Sequence, residues 1–367
     1  MSTVCDLPTC EPDHVAGIIL PAARRVCPVQ GTRRQHGRKR IVKRAARTAI
    51  GTAVLAVATL ATPAGANAAV NQGAAGTPTP SAPAASPSAS PSPAAQQPSP
   101  SPSPSRRASG IKMRSYAYGR HPHQRMDVWW HPTGRPRPAI FLVHGGWWSG
   151  GSRLALTSLS RSYARLGYTV VNVDYRLSGV ASWPAQRNDV ITAIELVRKH
   201  ARRFNTDANR YVVLGFSAGG HIAASVGTYG NGRPGLRGVV GISPVVSPLT
   251  AYSDGEDLFA TAQQRRLRDA AVQLAGGCTP TECPDTWSSM EPAFHASPGD
   301  APLFTAHSER EFVPPYQSEL LKQALGEVGV PMTVKVVPGT GHSSAVYRHP
   351  GVSASVQAWI AARLGRR

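Results

Sequence analysis

Ser217 stands between two glycines in "GFSAGG" (residues 215–220), directly after the apolar run "RYVVL". A serine hydroxyl is a weak nucleophile until a base lies within hydrogen-bond reach and donors await the oxyanion that its attack creates. G-x-S-x-G lets a chain pass from strand to helix so sharply that the serine side chain projects above the sheet. The glycines sit where side chains would strike the neighbouring strand and helix. The Ala218 amide is then aimed to the same side, and the helix start sets a positive dipole end beneath the developing charge. "LVHGGWW" (142–148) closes another apolar run, and its glycines leave backbone amides free to face a pocket. Gly146 and Trp147 are therefore the other candidate oxyanion donors.

The candidate base is His342 in "VPGTGHSSAVY", which follows the last expected strand. That is its place if the chain order is serine, acid, histidine. The acid should then follow the strand "APLFTAH", in "HSEREFVPP". Glu311, four residues beyond His307, is the first choice, and Glu309 is the alternative. Asp300 precedes the strand and belongs to the wrong end of the sheet. Asp174 in "VDYRLS" precedes Ser217 and reads as structural, paired with a nearby arginine or capping its loop. Trp148 and Trp183 are candidate pocket-lining residues, with core packing as the alternative. His221, grouped with them, reads as a helix residue packing near the site.

These residues need a scaffold that brings loops from distant segments to one edge. From Ile111 onward the chain alternates apolar runs with helical periods. "KMRSYAY" and "RMDVWW" read as a strand pair. "PAIFLVHGG", "YTVVNVDY", "RYVVLGF", "LRGVVGIS", "APLFTAH" and "MTVKVVPG" read as strands. Between and after them, 152–167, 185–204, 218–229, 315–329 and 353–364 read as helices. Helices of this length between strands imply right-handed crossovers and a mostly parallel sheet covered on both faces, with functional groups at the carboxyl ends of the strands. The stretch 248–299 exceeds an ordinary connection and is expected to hold a helix or two over the site.

The first 109 residues have a different character. "RRQHGRKRIVKRAAR" is followed by the uncharged "TAIGTAVLAVATLATPAGA" and by "ANA", the order of a secretory signal peptide cleaved after Ala68. The alternative is an uncleaved membrane anchor. Residues 69–109 are Pro/Ser/Ala-rich, lack large apolar side chains and read as an extended spacer that holds a domain of 110–367 away from a cell wall or membrane. Cys278 and Cys283, separated by four residues in "GGCTPTECPD", read as a loop-closing disulfide of an exported protein. No further ligand stands at metal-like spacing, and no metal or other cofactor is expected. The formal charge is +20. Residues 69–367 carry 30 Lys/Arg against 17 Asp/Glu, so the basic excess does not reside only in the leader. The arginines are scattered and no nucleic-acid-binding signature accompanies them, so they read as a solvated surface.

"HGGWW", "VNVDYRLS", "WPAQRNDV", "GFSAGGH" and "GTGHSS" together resemble the α/β-hydrolase family. The similarity runs from about Arg125 to Leu364. It lies in the esterase branch, near hormone-sensitive-lipase-like, carbohydrate-esterase and kynurenine-formamidase-like enzymes. The resemblance implies an ester hydrolase working through an acyl-enzyme on short acyl esters, free or linked to a polysaccharide. Amide hydrolysis or acyl transfer by the same triad, and a non-catalytic binding module on the same fold, are the other readings. Two departures stand out. Several relatives carry Asp in H-G-x-x-D-x-x-V-P, where this chain has Arg310 three places before the valine. Trp147 also replaces the third glycine of the three-glycine oxyanion motif.

Overall fold

The structure, a computed structural model, describes residues 110–365. The expected leader and spacer lie outside the described residues. The first strands are β1 (Lys112–Ala117), β2 (Arg125–Trp130) and β3 (Arg137–Val143), followed by α1 (Thr157–Arg165), β4 (Thr169–Val173) and α2 (Ala185–Lys199). Next come β5 (Thr206–Phe216), α3 (Ala218–Thr228), β6 (Leu236–Ile242), α4 (Pro248–Glu256), α5 (Ala262–Leu274) and α6 (Pro284–Met290). The last elements are β7 (Leu303–Ser308), α7 (Tyr316–Glu327), β8 (Met332–Val337), α8 (Ser344–Arg348) and α9 (Val352–Arg363). The eight strands form one sheet in the order β1-β2-β4-β3-β5-β6-β7-β8. β2 runs antiparallel to both β1 and β4, and every other pairing is parallel.

Strand periodicity builds the two faces. Phe141, Val143, Tyr211 and Val213 enter one core with α2, α3 and α7, while Ile140, Leu142, Val212 and Leu214 enter the other with α1 and α9. A fully buried side chain of this size stabilises the fold by roughly 1.5–3 kcal/mol, so a sheet apolar on both faces is held firmly in register. That register fixes the site. Val143 pairs with Gly215, Phe216 with Ile242, Ile242 with Ala306, and Ser308 with Val337. The carboxyl ends of β3, β5, β6, β7 and β8 therefore finish together.

Two expected helices are shorter than their periodicity suggested. The segment before α1 opens as a 3-10 turn, Arg153–Leu156. Its backbone is held there by tertiary contacts, since Arg153 N donates to Asp174 (2.5 Å) and Asn172 donates to the Arg153 carbonyl (2.5 Å). α2 stops at Lys199 rather than Phe204. Phe204 instead packs edge-on against Tyr116 (5.3 Å) and Trp130 (5.8 Å), an apolar contact that outweighs another helical turn. The long connection 248–299 holds α4, α5, α6 and a 3-10 turn, Pro292–His295. The Cys278 and Cys283 sulfurs lie at bonding distance there, with Cα atoms 6.1 Å apart.

Candidate active site

Ser217 sits between β5 and α3 at φ 51°, ψ −120°. A non-glycine residue at positive φ is strained, and the surroundings must hold it. They do so through backbone bonds: Ser217 N donates to Ile242 O (2.9 Å), and Gly220 N donates to Ser217 O (2.8 Å). The flanking glycines are a matter of space. A Cβ on Gly215 would lie 2.0 Å from Gly219 O, and one on Gly219 would lie 2.4 Å from Val143 O. Either clash is with backbone, which has nowhere to go.

His342 Nε2 lies 2.8 Å from Ser217 Oγ, and His342 Nδ1 lies 2.5 Å from Glu311 Oε2. The three residues sequence reasoning selected therefore form one hydrogen-bonded line. Glu309, the alternative acid, is solvent-exposed on the loop after β7. The loop of His342 is tied down one residue later, where Ser343 N donates to the buried Ser243 Oγ (2.8 Å) at the end of β6.

Glu311 has a second imidazole that the sequence reading missed. His307 Nδ1 donates to Oε1 (2.8 Å), Ser308 N donates to the same oxygen (3.2 Å), and His307 Nε2 accepts from Ser318 Oγ at 2.7 Å. Burial pushes the Glu311 carboxyl up, but the hydrogen bonds from His307 and His342 outweigh it and hold the group below its usual range. The signal was available as an i, i+4 His–Glu pair, but at a strand end that spacing does not by itself bring side chains together.

The loop after β3 runs over Ser217 with Gly146 at φ 127° and both Trp147 and Trp148 in the left-handed region, at 57° and 56°. A Cβ on Gly146 would lie 2.3 Å from Gly150 O, so this turn admits only glycine. Among the described residues, the amides of Gly146, Trp147 and Ala218 donate no backbone or side-chain hydrogen bond. Behind the loop, Arg153 bridges Asp127 (3.0 Å) and Asp174, and Tyr175 donates to His144 O (3.1 Å).

A cleft of about 510 Å³ opens at the serine, lined by Gly146, Trp147, Leu156, Phe216, Gln263 and Phe312 along with Ser217 and His342. Trp148 and Trp183 do not line it, which corrects their pocket-lining reading in favour of the core-packing alternative, and His221, grouped with them for the pocket, is instead a buried α3 residue beside the site. They are 0%, 5% and 0% exposed. Trp148 Nε1 donates to His221 Nδ1 (3.1 Å), and His221 Nε2 donates to Met290 O (2.7 Å). Burial lowers the His221 pKa to about 4, so the ring is a neutral spacer between α3 and the 248–299 segment. Sequence alone could not tell Trp148 from Trp147, because which ring faces the cleft depends on the two left-handed residues of this turn. A separate pocket of about 460 Å³ lies between α4 and α7. Glu291 lines it, 3% exposed, and accepts from Leu249 N at 2.7 Å. Burial raises its pKa to about 7.

A family model, BD-FAE, matches residues 126–325, a span that runs from β2 into α7 and includes Ser217 and Glu311. The chain belongs to the BD-FAE family. It is 30% identical over 245 residues to esterase LipC of Mycobacterium tuberculosis, covering 63% of this chain and 60% of that protein. It is 25% identical over 252 residues to esterase LipQ of the same organism, covering 66% and 60%. The chain thus spans about 60% of the length of these curated relatives. A solved structure, the truncated form of a carbohydrate esterase from gut microbiota, superposes with a TM-score of 0.60 at 22% identity, over 71% of this chain and 99% of that one. The fold is that of an α/β-hydrolase.

Proposed function

We propose that the protein is a serine carboxylic-ester hydrolase acting on short acyl esters. The observation that carries this reading is the unbroken line from Ser217 Oγ through the His342 imidazole to Glu311. The names of its relatives, esterases LipC and LipQ, support the same reaction class. Glu311 accepts a hydrogen bond from the His342 Nδ1–H, which keeps the proton on Nδ1 and leaves Nε2 free as a base. His342 takes the hydroxyl proton as Ser217 attacks the ester carbonyl. The amides of Gly146, Trp147 and Ala218, free of internal acceptors, receive the oxyanion. His342 then protonates the leaving alcohol, and water attacks the acyl-serine with the same imidazole as base.

The cleft volume suits a short acyl chain with a modest alcohol. The leader-like order of residues 33–68 and the Cys278–Cys283 pair support an exported enzyme. Hydrolysis of p-nitrophenyl acetate by the full-length protein and by Ser217→Ala tests the reading. The expected result is turnover that the substitution abolishes. Equal rates in both proteins would overturn it, and faster cleavage of p-nitroacetanilide than of the acetate ester would reassign it to amides.

A further inference from the structure

Successive contacts link four side chains, three of them in the cleft lining. The His342 ring lies 4.3 Å from the Phe312 ring, and Phe312 stacks on Trp147 at 5.2 Å and 19°. The Arg266 guanidinium lies 4.6 Å from the centre of the Trp147 ring. The first three line the cleft, and the fourth, exposed on α5, reaches it only through the Trp147 ring. Gln263, one helical turn before Arg266, lines the same cleft, so this face of α5 looks into it.

The three arginines on this stretch of α5 are employed differently. Arg265 donates to the carbonyls of Ala260 (3.2 Å) and Leu258 (3.1 Å). Arg268 pairs with Glu256 (2.9 Å) and Asp269 (2.8 Å). Arg266 has its indole contact and, among the described residues, no carboxylate partner. Stacking uses the flat face of a guanidinium and leaves the N–H donors along its edge free, in the fork geometry that fits a carboxylate. None of the residues lining the cleft is an Asp, Glu, Lys or Arg, and Glu311 beneath it is buried between two imidazoles.

We propose that Arg266 is a specificity-determining residue that selects esters bearing a carboxylate beside the Trp147 indole. This rests on the ester-hydrolase reading and deepens it: the preferred substrate is an anionic ester whose acid group lies along the Phe312–Trp147 surface. The basic excess of the chain, 30 Lys/Arg against 17 Asp/Glu over residues 69–367, favours the approach of such a substrate.

Matched esters test this with the full-length protein. One pair carries the acid on the acyl side: the p-nitrophenyl monoester of suberic acid and its methyl-capped counterpart. The other carries it on the leaving group: para-acetoxybenzoate and its methyl ester. Wild type should show a kcat/KM ratio of acid to methyl ester of roughly tenfold in one pair, and the pair that responds tells which side of the ester faces Arg266. The ratio should fall toward one in Arg266→Ala and Arg266→Gln, stay intermediate in Arg266→Lys, and shrink as NaCl is raised. Wild-type ratios of one in both pairs, with neutral esters still turned over, would overturn the proposal and leave the hydrolase reading intact. A ratio that survives in Arg266→Ala would also overturn it. Absence of Ser217-dependent turnover of any ester is the separate result that defeats the hydrolase reading itself.

Discussion

Glu311 and Glu291 are both buried, at 6% and 3% exposure, yet their surroundings drive them in opposite directions. Glu311, after β7, has burial opposed by two imidazoles and is held below the usual carboxylate range. Glu291, between α6 and the 3-10 turn, receives the Leu249 amide and contact with Ser247, which offset burial only partly, and its pKa rises to about 7. Burial alone therefore says nothing about the charge a carboxylate carries. The number and kind of donors decide it. The lesson bears on chemistry: a buried acid can orient and support an imidazolium only where its charge is already stabilised.

The linkage to stability has opposite signs at the two sites. Glu311, with its folded pKa lowered, contributes stability that is present above its unfolded-state pKa and is lost as pH falls through the folded value. Glu291, with its pKa raised, contributes stability that is complete below its unfolded-state value of about 4.3 and is lost as pH rises toward about 7.

Glu311→Gln should break the contrast most severely. It removes the charge facing His342, and kcat for p-nitrophenyl acetate should drop by about 10³–10⁴-fold. Glu291→Gln keeps an acceptor for the Leu249 amide and removes the ionisation. Chemical denaturation at pH 5 and pH 8 should show wild type losing on the order of 2–3 kcal/mol between them relative to the variant, while kcat stays the same. A variant that shares the wild-type slope would mean that Glu291 is not the group responsible.

His307→Asn sharpens the comparison by making Glu311 more like Glu291. With one imidazole gone, the Glu311 carboxyl should rise toward neutrality. Steady-state rates across pH should show kcat down by about tenfold and its acid limb moved to higher pH, with far-ultraviolet circular dichroism unchanged. Ser243→Ala is the mildest case. Ser343 N loses its acceptor, the His342 loop loosens, and kcat should fall by about threefold with KM unmoved.

The sequence was most informative where local geometry and chemistry coincide. Gly215, Ser217 and Gly219 mark a turn whose close backbone approaches admit no other residues at the two glycines. Chain order then pointed to His342, and its distance to Ser217 follows from the shared end of β5 and β8 in one sheet. What the sequence did not reveal is tertiary. Nothing in "HGGWW" tells that Trp147 faces the cleft while Trp148 is buried, because that depends on two successive left-handed residues. Nothing near Arg266 shows that α5 folds back over the β3 loop, or that Trp147 meets both Arg266 and Phe312. His307 was read only as a strand terminus, and its contact with Glu311 depends on the chain turning tightly after β7.

The most direct measurement is labelling of the full-length protein with a fluorophosphonate, followed by peptide mass spectrometry. This reagent reports a serine activated by its neighbours. A single adduct on Ser217, with labelling slowed by orders of magnitude in His342→Ala and in Glu311→Gln, is the expected result. An unlabelled Ser217, or labelling that proceeds as fast without His342, would contradict the hydrogen-bonded line on which the chemistry depends.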